Sequence, residues 1–176
     1  MNVSFELKQV DLNGVETAID FDYPVDSLYH WNSDTQMAIA LIRVDGVLKL
    51  AEVNLGNGDI RIIINKAVGW AAKSDNGQIL FMDKVHQFWQ TGTVETQPIP
   101  VLNGQGSNKH FTVKNNIIYG VNDNYQLWSY SLETQRLKII GDLPDTIDTI
   151  TDINQQNLLF TLRVAARKEV VELVLE

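Results

Sequence analysis

The sequence predicts an all-β protein, and three observations lead to this prediction. Apolar and aromatic residues recur at intervals of about 40 residues, and each interval holds four short apolar stretches separated by turn-forming residues such as Asn, Asp and Gly. No segment shows a helical stripe of useful length. Four-stranded units at this period are typical of β-propeller blades. We therefore predict a partial β-propeller of four-stranded antiparallel blades.

The first and third strands of each unit are marked by large apolar residues. Positions 7, 50, 88, 127 and 170 mark the third strands, and in two units a tryptophan follows, Trp89 and Trp128. Aromatic side chains bury large areas, so we expect both tryptophans to pack between neighbouring blades. The first strands are marked by Trp31, Trp70, Phe111 and Ile150.

The second and fourth strands complete each unit. The near-continuous apolar stretch between the two markers predicts a second strand that is buried on both faces. The fourth strand is expected at the outer edge, where a proline breaks no ladder of hydrogen bonds, and the prolines fall there or just after. The second strands are 38–42, 79–82, 117–121 and 158–162, the fourth strands are 17–21, 60–64, 97–102 and 137–140, and the prolines are Pro24, Pro98, Pro100 and Pro144.

This assignment predicts one propeller fragment over residues 1–176. It holds 17 strands, and both chain ends offer a third strand, so the ends are not complementary. We expect a piece of a larger propeller that self-associates, because open strand edges and apolar blade faces bind partners. The whole blades are about 28–64, 68–102 and 109–143, and the partial blades are 4–22 and 147–176.

Composition excludes several classes of function. The net charge of −8, from 22 acidic and 14 basic residues, disfavours contact with nucleic-acid phosphates. The absence of cysteine excludes disulfides, thiolate nucleophiles and cysteine-bound metals. No apolar run approaches the roughly 20 residues of a membrane helix, and the first residues lack the pattern of a signal peptide.

No residue set predicts catalysis or a cofactor, so we expect a protein that is not an enzyme. His30 and His110 both precede a first-strand aromatic residue, and they would need a carboxylate such as Asp26 to hold a metal. Packing is the favoured interpretation of both histidines. The stretch 104–107 is read as a loop rather than a phosphate cradle. Turn chemistry is favoured over calcium binding for the series Asp142, Asp145, Asp148 and Asp152.

One face of the predicted blades is the place where a partner would bind. The loops from second to third strands, and from fourth to next first strands, open at the same face of a propeller, and loops carry most binding residues. The alternative, that these are ordinary connecting loops, stays open, and His86 is expected to be a solvated turn residue. The candidate residues are Asp45, Asp83, Lys84, His86, Lys109, His110, Asn122, Asp123, Asn124 and Arg167.

Two stretches resemble a known repeat. Residues 124–144, NYQLWSYSLETQRLKIIGDLP, resemble the repeat of TolB/WD40-like propellers, and residues 115–123 resemble the strand that precedes it. The chain is also similar to the C-terminal propellers of ToxR/CadC-like winged-helix transcription regulators, which are membrane-anchored and often end on a third strand, as 167–176 does here. The chain departs from TolB-like repeats at 73–77, which stands in place of their SPDG turn.

The resemblance implies a function that the residues alone do not. It implies a bacterial, non-catalytic sensory or protein-interaction domain, the C-terminal part of a membrane-anchored transcriptional regulator that senses a signal in the periplasm. A free-standing periplasmic TolB-like interaction propeller and the propeller portion of a hydrolase are the alternatives. Sequence upstream of Met1 distinguishes these functions. A winged helix with a membrane helix supports the regulator, and a signal peptide supports the free-standing propeller.

Overall fold

The computed structural model of the chain describes residues 7–32, 34–92, 95–106, 111–154, 157–164 and 167–174. Within these residues the chain forms 17 β-strands and one 3-10 turn, which confirms the all-β prediction and its strand count. Contacts between Cα atoms divide the chain into two compact units, residues 1–71 and 72–176.

The first unit holds a hairpin and one complete sheet. Three residues of each hairpin strand pair antiparallel, from Lys8 opposite Ala18 to Val10 opposite Glu16. The sheet is antiparallel with its four strands in chain order, the arrangement of a propeller blade. The hairpin strands are β1 (Lys8–Val10) and β2 (Glu16–Ala18), and the sheet strands are β3 (Val25–Asn32), β4 (Met37–Val44), β5 (Val47–Asn54) and β6 (Ile60–Ile64).

The core of the first unit lies on one face of this sheet. Alternate residues of β4, Ala38, Ala40 and Ile42, are buried there with Ala51 and Val53 of β5. Small side chains at the centre let neighbouring residues approach closely, and the side chains that cover this face come from the hairpin and from the segment that follows it. These covering side chains are Leu7, Ile19, Phe21 and Tyr23.

The second unit continues the same architecture through β7, which begins in the first unit and ends in the second. Two four-stranded antiparallel sheets and one three-stranded sheet follow, each with its strands in chain order. The strands are β7 (Val68–Lys73), β8 (Ile79–Asp83), β9 (Phe88–Thr91), β10 (Thr96–Pro98), β11 (Phe111–Lys114), β12 (Ile117–Val121), β13 (Gln126–Ser131), β14 (Arg136–Asp142), β15 (Ile147–Asn154), β16 (Asn157–Val164) and β17 (Arg167–Val174).

Aromatic residues pack the sheets of the second unit against each other. Phe88 of β9 meets Phe111 of β11 edge to face, with ring centroids 4.9 Å apart. Phe111 in turn lies 5.9 Å from the fully buried Trp128. Phe111 and Trp128 belong to the same sheet, so the predicted packing of Trp128 between blades stays a prediction. Trp89 is half-buried and lies parallel to Phe81 of its own sheet, at 6.4 Å. The aromatic contact between these two sheets is made by Phe88 rather than by its neighbour Trp89.

The predicted fold class, a partial β-propeller of four-stranded antiparallel blades with partial blades at both ends, is confirmed. The second strands β4 and β8 are almost wholly buried, as expected. Two predicted fourth strands are shorter than their sequence patterns suggested, and the one predicted at 17–21 ends at Ala18. The fourth strand of the 68–102 blade ends at Pro98, because Pro100–Leu102 turns into a 3-10 helix with its proline at the start.

Candidate functional site

Two loops of the second unit lie at the same end of their sheets. At the opposite end, the backbone N–H of Asn76 donates to Asn116 Oδ1 at 2.9 Å, and the backbone N–H of Asn116 donates to Asp75 Oδ2 at 3.3 Å. These residues join first to second strands in neighbouring sheets. Since those ends meet, β8 and β12 point the same way, and the loops that follow them open on one face.

The loop between β8 and β9 is closed by its first residue, Asp83. Its Oδ1 accepts hydrogen bonds from the backbone N–H groups of Val85 and Gln87, both at 3.0 Å. Its Oδ2 accepts from the indole N–H of Trp89 at 3.2 Å. Asp83 is 4% exposed, and its carboxylate shapes the loop through these three hydrogen bonds. Its place on the binding face stays a prediction.

The loop between β12 and β13 repeats this arrangement with Asn122 in the place of Asp83. Asn122 Oδ1 accepts from the backbone N–H groups of Asn124 and Gln126, both at 3.0 Å. The backbone N–H of Tyr125 donates to the Asn122 carbonyl at 3.0 Å, as that of His86 donates to the Asp83 carbonyl at 3.1 Å. Both loops therefore hold their central residues in the same backbone conformation.

The fourth residue of each loop has a backbone conformation that side chains disfavour. His86 has a φ of 62° and Tyr125 a φ of 59°, in the left-handed region that glycine occupies most readily. Two other turns with the same backbone hydrogen bonds have glycine at this position, Gly14 with a φ of 80° and Gly77 with a φ of 84°. The two loops on the candidate face thus carry side chains where their counterparts carry none.

Residues 99–106, which follow β10, contact the bases of the two loops. Asn103 Oδ1 accepts from the backbone N–H of Phe88, which follows the first loop, at 3.2 Å. The carbonyl of Gln105 accepts from the indole N–H of Trp128 at 3.1 Å. Gly106 lies so close to the carbonyl of Val121 that no side chain fits between them. The connection therefore fixes the two loops relative to each other.

We use the name loop face for the surface formed by residues 84–87, 99–106 and 122–126. Its exposed side chains combine charged and polar groups with apolar ones, and Val85 is 74% exposed, Val101 46% and Tyr125 40%. Exposed apolar side chains on rigid loops are typical of surfaces that contact proteins. The charged and polar members are Lys84, His86, Asp123 and Asn124, all exposed.

The structure brings together part of the predicted site. Lys84, His86, Asp123 and Asn124 lie on the loop face, and Asn122 closes one of its loops. The remaining predicted residues are elsewhere or outside the description. Asp45 forms a two-residue turn with Gly46 in the first unit, Arg167 begins β17 with a side chain that lies outside the described part, and Lys109 and His110 lie outside the described residues.

Sequence reasoning missed Val85, Val101 and Tyr125 because it searched the loops for polar residues. A signal for Val85 and Tyr125 was available. Aligning D-K-V-H-Q (83–87) and N-D-N-Y-Q (122–126) with D-L-N-G-V (11–15) shows one turn pattern in which glycine is replaced in two of three cases. Such a replacement points to the loops that keep a side chain at a strained position.

Several acidic residues have structural roles. The buried Asp148 pairs with Arg163 at 3.0 Å, Asp142 accepts from the Gln126 amide at 3.2 Å, and Asp152 accepts from the next backbone N–H at 2.7 Å. Within the described ranges, no group of three His, Asp or Glu side chains could hold a metal ion. His110, half of the histidine pair considered for a metal, lies outside those ranges.

The described residues contain no helix with the length and apolar character needed to cross a membrane. No protein-family model and no curated protein matches the chain.

Solved structures do resemble the chain. TolB from Acinetobacter baumannii matches with a TM-score of 0.64 and 14% identity, over 93% of this chain and 44% of that one. A chain of the nidogen/laminin complex matches with a TM-score of 0.61 and 11% identity, over 94% of this chain and 69% of that one. An auxiliary nutrient binding protein from Bacteroides thetaiotaomicron matches with a TM-score of 0.55 and 15% identity, over 95% of this chain and 49% of that one. This chain spans less than half the length of TolB, and at these identities the likeness shows the β-propeller fold.

Proposed function

We propose that this chain is a non-catalytic protein-interaction propeller that binds a partner protein through the loop face. The observation that supports this most directly is the left-handed backbone of His86 and Tyr125, at the position that glycine occupies in the two matching turns. A side chain in this conformation costs roughly 1–2 kcal/mol relative to glycine. Strain of this kind persists mainly where the side chain has a use. Seven described residues other than glycine have a positive φ, and His86 and Tyr125 are the two that lie on the loop face.

The chemistry of the loop face suits a protein partner. Val85, Val101 and Tyr125 supply apolar area, and tyrosine is enriched at protein interfaces because its ring is apolar and its hydroxyl can form a hydrogen bond. Lys84 and Asp123 supply charges of both signs near this area. The turns closed by Asp83 and Asn122 are ordered before binding, which reduces the entropy lost on association. Among the structural neighbours, the nidogen/laminin complex is an assembly of proteins.

The sequence resemblance extends the proposal to a biological setting. We propose a sensory domain in the C-terminal part of a membrane-anchored transcriptional regulator, with the domain in the periplasm and no enzymatic activity of its own. The TolB-like interaction propeller is the second candidate, and the fold likeness to TolB favours it. The full-length reading frame tests both, since a winged helix followed by about 20 apolar residues supports the regulator and a signal peptide supports the alternative.

The loop face can be tested with glycine substitutions that keep the turns intact. The double variant His86→Gly and Tyr125→Gly removes both side chains and relieves the backbone strain, so it should fold at least as well as the wild type. Gln135→Gly is the matched control, because Gln135 has a φ of 55° in the β13–β14 loop at the other end of β13.

The measurement is crosslinking in cells, followed by identification of the captured proteins and titration of the purified partner. We expect the partner to bind the wild type and Gln135→Gly alike, and the double variant at least tenfold more weakly, which corresponds to about 1.4 kcal/mol. Equal binding by all three proteins would refute the loop face as the binding site. Catalytic turnover of a captured molecule by the purified chain would refute the non-catalytic role.

Self-association belongs to the same proposal. The β15–β17 sheet has three strands where the complete blades have four, and β1 and β2 form a hairpin of two. Open edges of this kind favour pairing with another chain. Light scattering that gives the mass of a single chain across micromolar concentrations would contradict self-association without affecting the loop face.

A further inference from the structure

A cavity in the first unit lies apart from the loop face. It has a volume of about 370 Å³, within the range of small-ligand sites. It lies between the base of the β1–β2 hairpin and the start of β3. Its lining side chains are apolar or aromatic except for the carboxylate of Asp20, and polar atoms contribute at least as much of the lining surface as apolar atoms. The lining residues are Leu7, Ala18, Ile19, Asp20, Phe21, Tyr23 and Val25.

The walls of this cavity are held in place on both sides. The backbone N–H of Ile19 donates to the carbonyl of Leu7 at 2.9 Å, which extends the hairpin pairing by one step. The carbonyl of Pro24 accepts from the backbone N–H of Arg43 on β4 at 2.9 Å, which ties the segment between β2 and β3 to the sheet. Phe21 and Tyr23 also pack on the core of the first unit.

The lining combines aromatic rings with negative charge. The rings of Phe21 and Tyr23 have centroids 5.6 Å apart and are tilted by 58°. Asp20 lines the cavity, and the segment 20–26 also carries Asp22 and Asp26 without a basic residue. Aromatic rings and a carboxylate around one space attract organic cations, the rings through their quadrupole and the carboxylate through its charge.

Two basic residues on strands that border this segment are engaged elsewhere. Lys8 on β1 pairs with Glu16 across the hairpin at 3.0 Å. Arg43, beside Pro24, donates from its guanidinium to the carbonyl of Gly46 at 3.1 Å. Neither Lys8 nor Arg43 thus pairs with the 20–26 segment in the part of the chain that the structure describes.

We propose that this cavity binds an organic cation, an ammonium group attached to an apolar body. The apolar body fills the space against Leu7, Ile19 and Val25, while the ammonium lies by Asp20 and the two rings. Such a group is carried by a free amine or by a lysine side chain of a protein, and the two sources differ in what surrounds the ammonium.

The test is a titration of the full chain, followed by NMR on the ring protons of Phe21 and Tyr23. The probes are 2-phenylethylammonium, its neutral counterpart 2-phenylethanol, and lysine capped at both backbone ends. We expect the ammonium to bind the wild type roughly fivefold more tightly than the alcohol, the scale of one exposed charge contact or cation–π contact. Tighter binding of the capped lysine than of 2-phenylethylammonium would assign the site to a protein side chain, and the reverse to a free amine.

Two substitutions distinguish the effect of the carboxylate in the cavity from the effect of the net charge of the protein. Asp20→Asn should bring the ratio of the affinities for 2-phenylethylammonium and 2-phenylethanol close to one. Asp22→Asn changes the net charge equally at an exposed position outside the lining, and it should keep the preference. Equal affinity of the wild type for ammonium and alcohol, equal effects of the two substitutions, or no shift of the two rings would overturn the proposal.

Discussion

Trp128 lies directly over Gly120 on the neighbouring strand, and its indole ring occupies the space that a side chain at position 120 would need. A Cβ atom on Gly120 would meet Trp128 Cε2 at 2.6 Å and Phe111 Cδ1 at 2.8 Å. Both are rigid aromatic atoms in a packed core, so they have little room to move. The glycine is therefore required for the packing of β11 and β13 around β12.

We accordingly expect Gly120→Ala to lower the free energy of unfolding by roughly 1–3 kcal/mol, the usual cost of overpacking. Gly141→Ala is the control in the same sheet, because its Cβ would meet nothing within 4 Å, and its effect should stay within about 0.5 kcal/mol. Urea unfolding of both variants measures the difference. Equal stability of the two variants would show that Trp128 is not fixed as described.

The carboxylate of Asp83 supports its loop through two backbone N–H groups and the indole of Trp89. We expect Asp83→Ala to lower the free energy of unfolding by roughly 1–3 kcal/mol, since it leaves donors without a partner. Asp83→Asn should cost less, because Asn122 closes the same turn in the next sheet. Asp123→Ala, at an exposed position, should change stability by less than about 0.5 kcal/mol. An equal loss of unfolding free energy in Asp83→Ala and Asp123→Ala, measured by denaturant unfolding, would contradict this role of Asp83.

At the turn positions with left-handed backbone, replacing glycine by alanine and replacing a larger residue by glycine should have opposite effects on stability. Gly77→Ala should lower the free energy of unfolding by roughly 1–2 kcal/mol, although its Cβ would meet nothing within 4 Å, because the backbone conformation alone is unfavourable. His86→Gly and Tyr125→Gly relieve the backbone strain, which raises stability, but glycine also gives the unfolded chain more freedom, which lowers it. The net effect should therefore be no change or a gain of up to about 1 kcal/mol. Thermal unfolding of the three variants tests this. A large destabilisation by His86→Gly would show that its side chain holds the fold.

Stability should fall at alkaline pH, in part through Tyr29. Its hydroxyl donates to the carbonyl of Val68 at 3.1 Å, and burial, aided by the nearby charge of Asp26, raises its pKa above the usual value of 10.0. The neutral phenol therefore contributes stability that is complete below pH 10.0 and is lost as the pH rises through the folded-state pKa. Burial also raises the pKa of Tyr119 and Tyr130, which add to the decline.

Tyr29→Phe isolates this contribution. It should lower the free energy of unfolding at neutral pH by about 0.5–1.5 kcal/mol, for the lost hydrogen bond, and make the decline above pH 10 shallower than in the wild type. Unfolding curves measured between pH 7 and pH 11 test both effects. The same slope in both proteins would contradict a raised pKa of Tyr29.

The fold was largely predictable because the pattern of buried apolar residues is repeated in each blade. Ile79 and Phe81 lie on one face of β8 and Leu80 and Met82 on the other, and all four are buried, so the apolar run in the sequence directly reports a strand covered on both faces. Strand ends were less predictable. Leu102 is fully buried and extends the apolar pattern past Pro98, yet it belongs to a 3-10 turn, because apolar character does not distinguish a buried strand from a buried turn.

The candidate site was only partly predictable, because loops lack a periodic pattern. Asp83 was predicted as a member of a polar loop face, and the sequence did not indicate that the N–H groups of its own turn hold its carboxylate in a buried position. Val85 gave no sign of its exposure, since a single apolar residue in a loop has no neighbours at a fixed spacing. The cavity beside Asp20 depends on how a hairpin meets a sheet, which no local pattern specifies.

The closure of each loop by its own first residue has a consequence for how this domain could change. Lys84 and Val85, or Asp123 and Asn124, contribute no side-chain hydrogen bond that closes their turns, so substitutions there leave the strands undisturbed. The propeller can thus serve as an invariant scaffold on which a few exchangeable positions set recognition. Grafting new tripeptides between Asp83 and Gln87 is a direct route to redirecting what the domain binds.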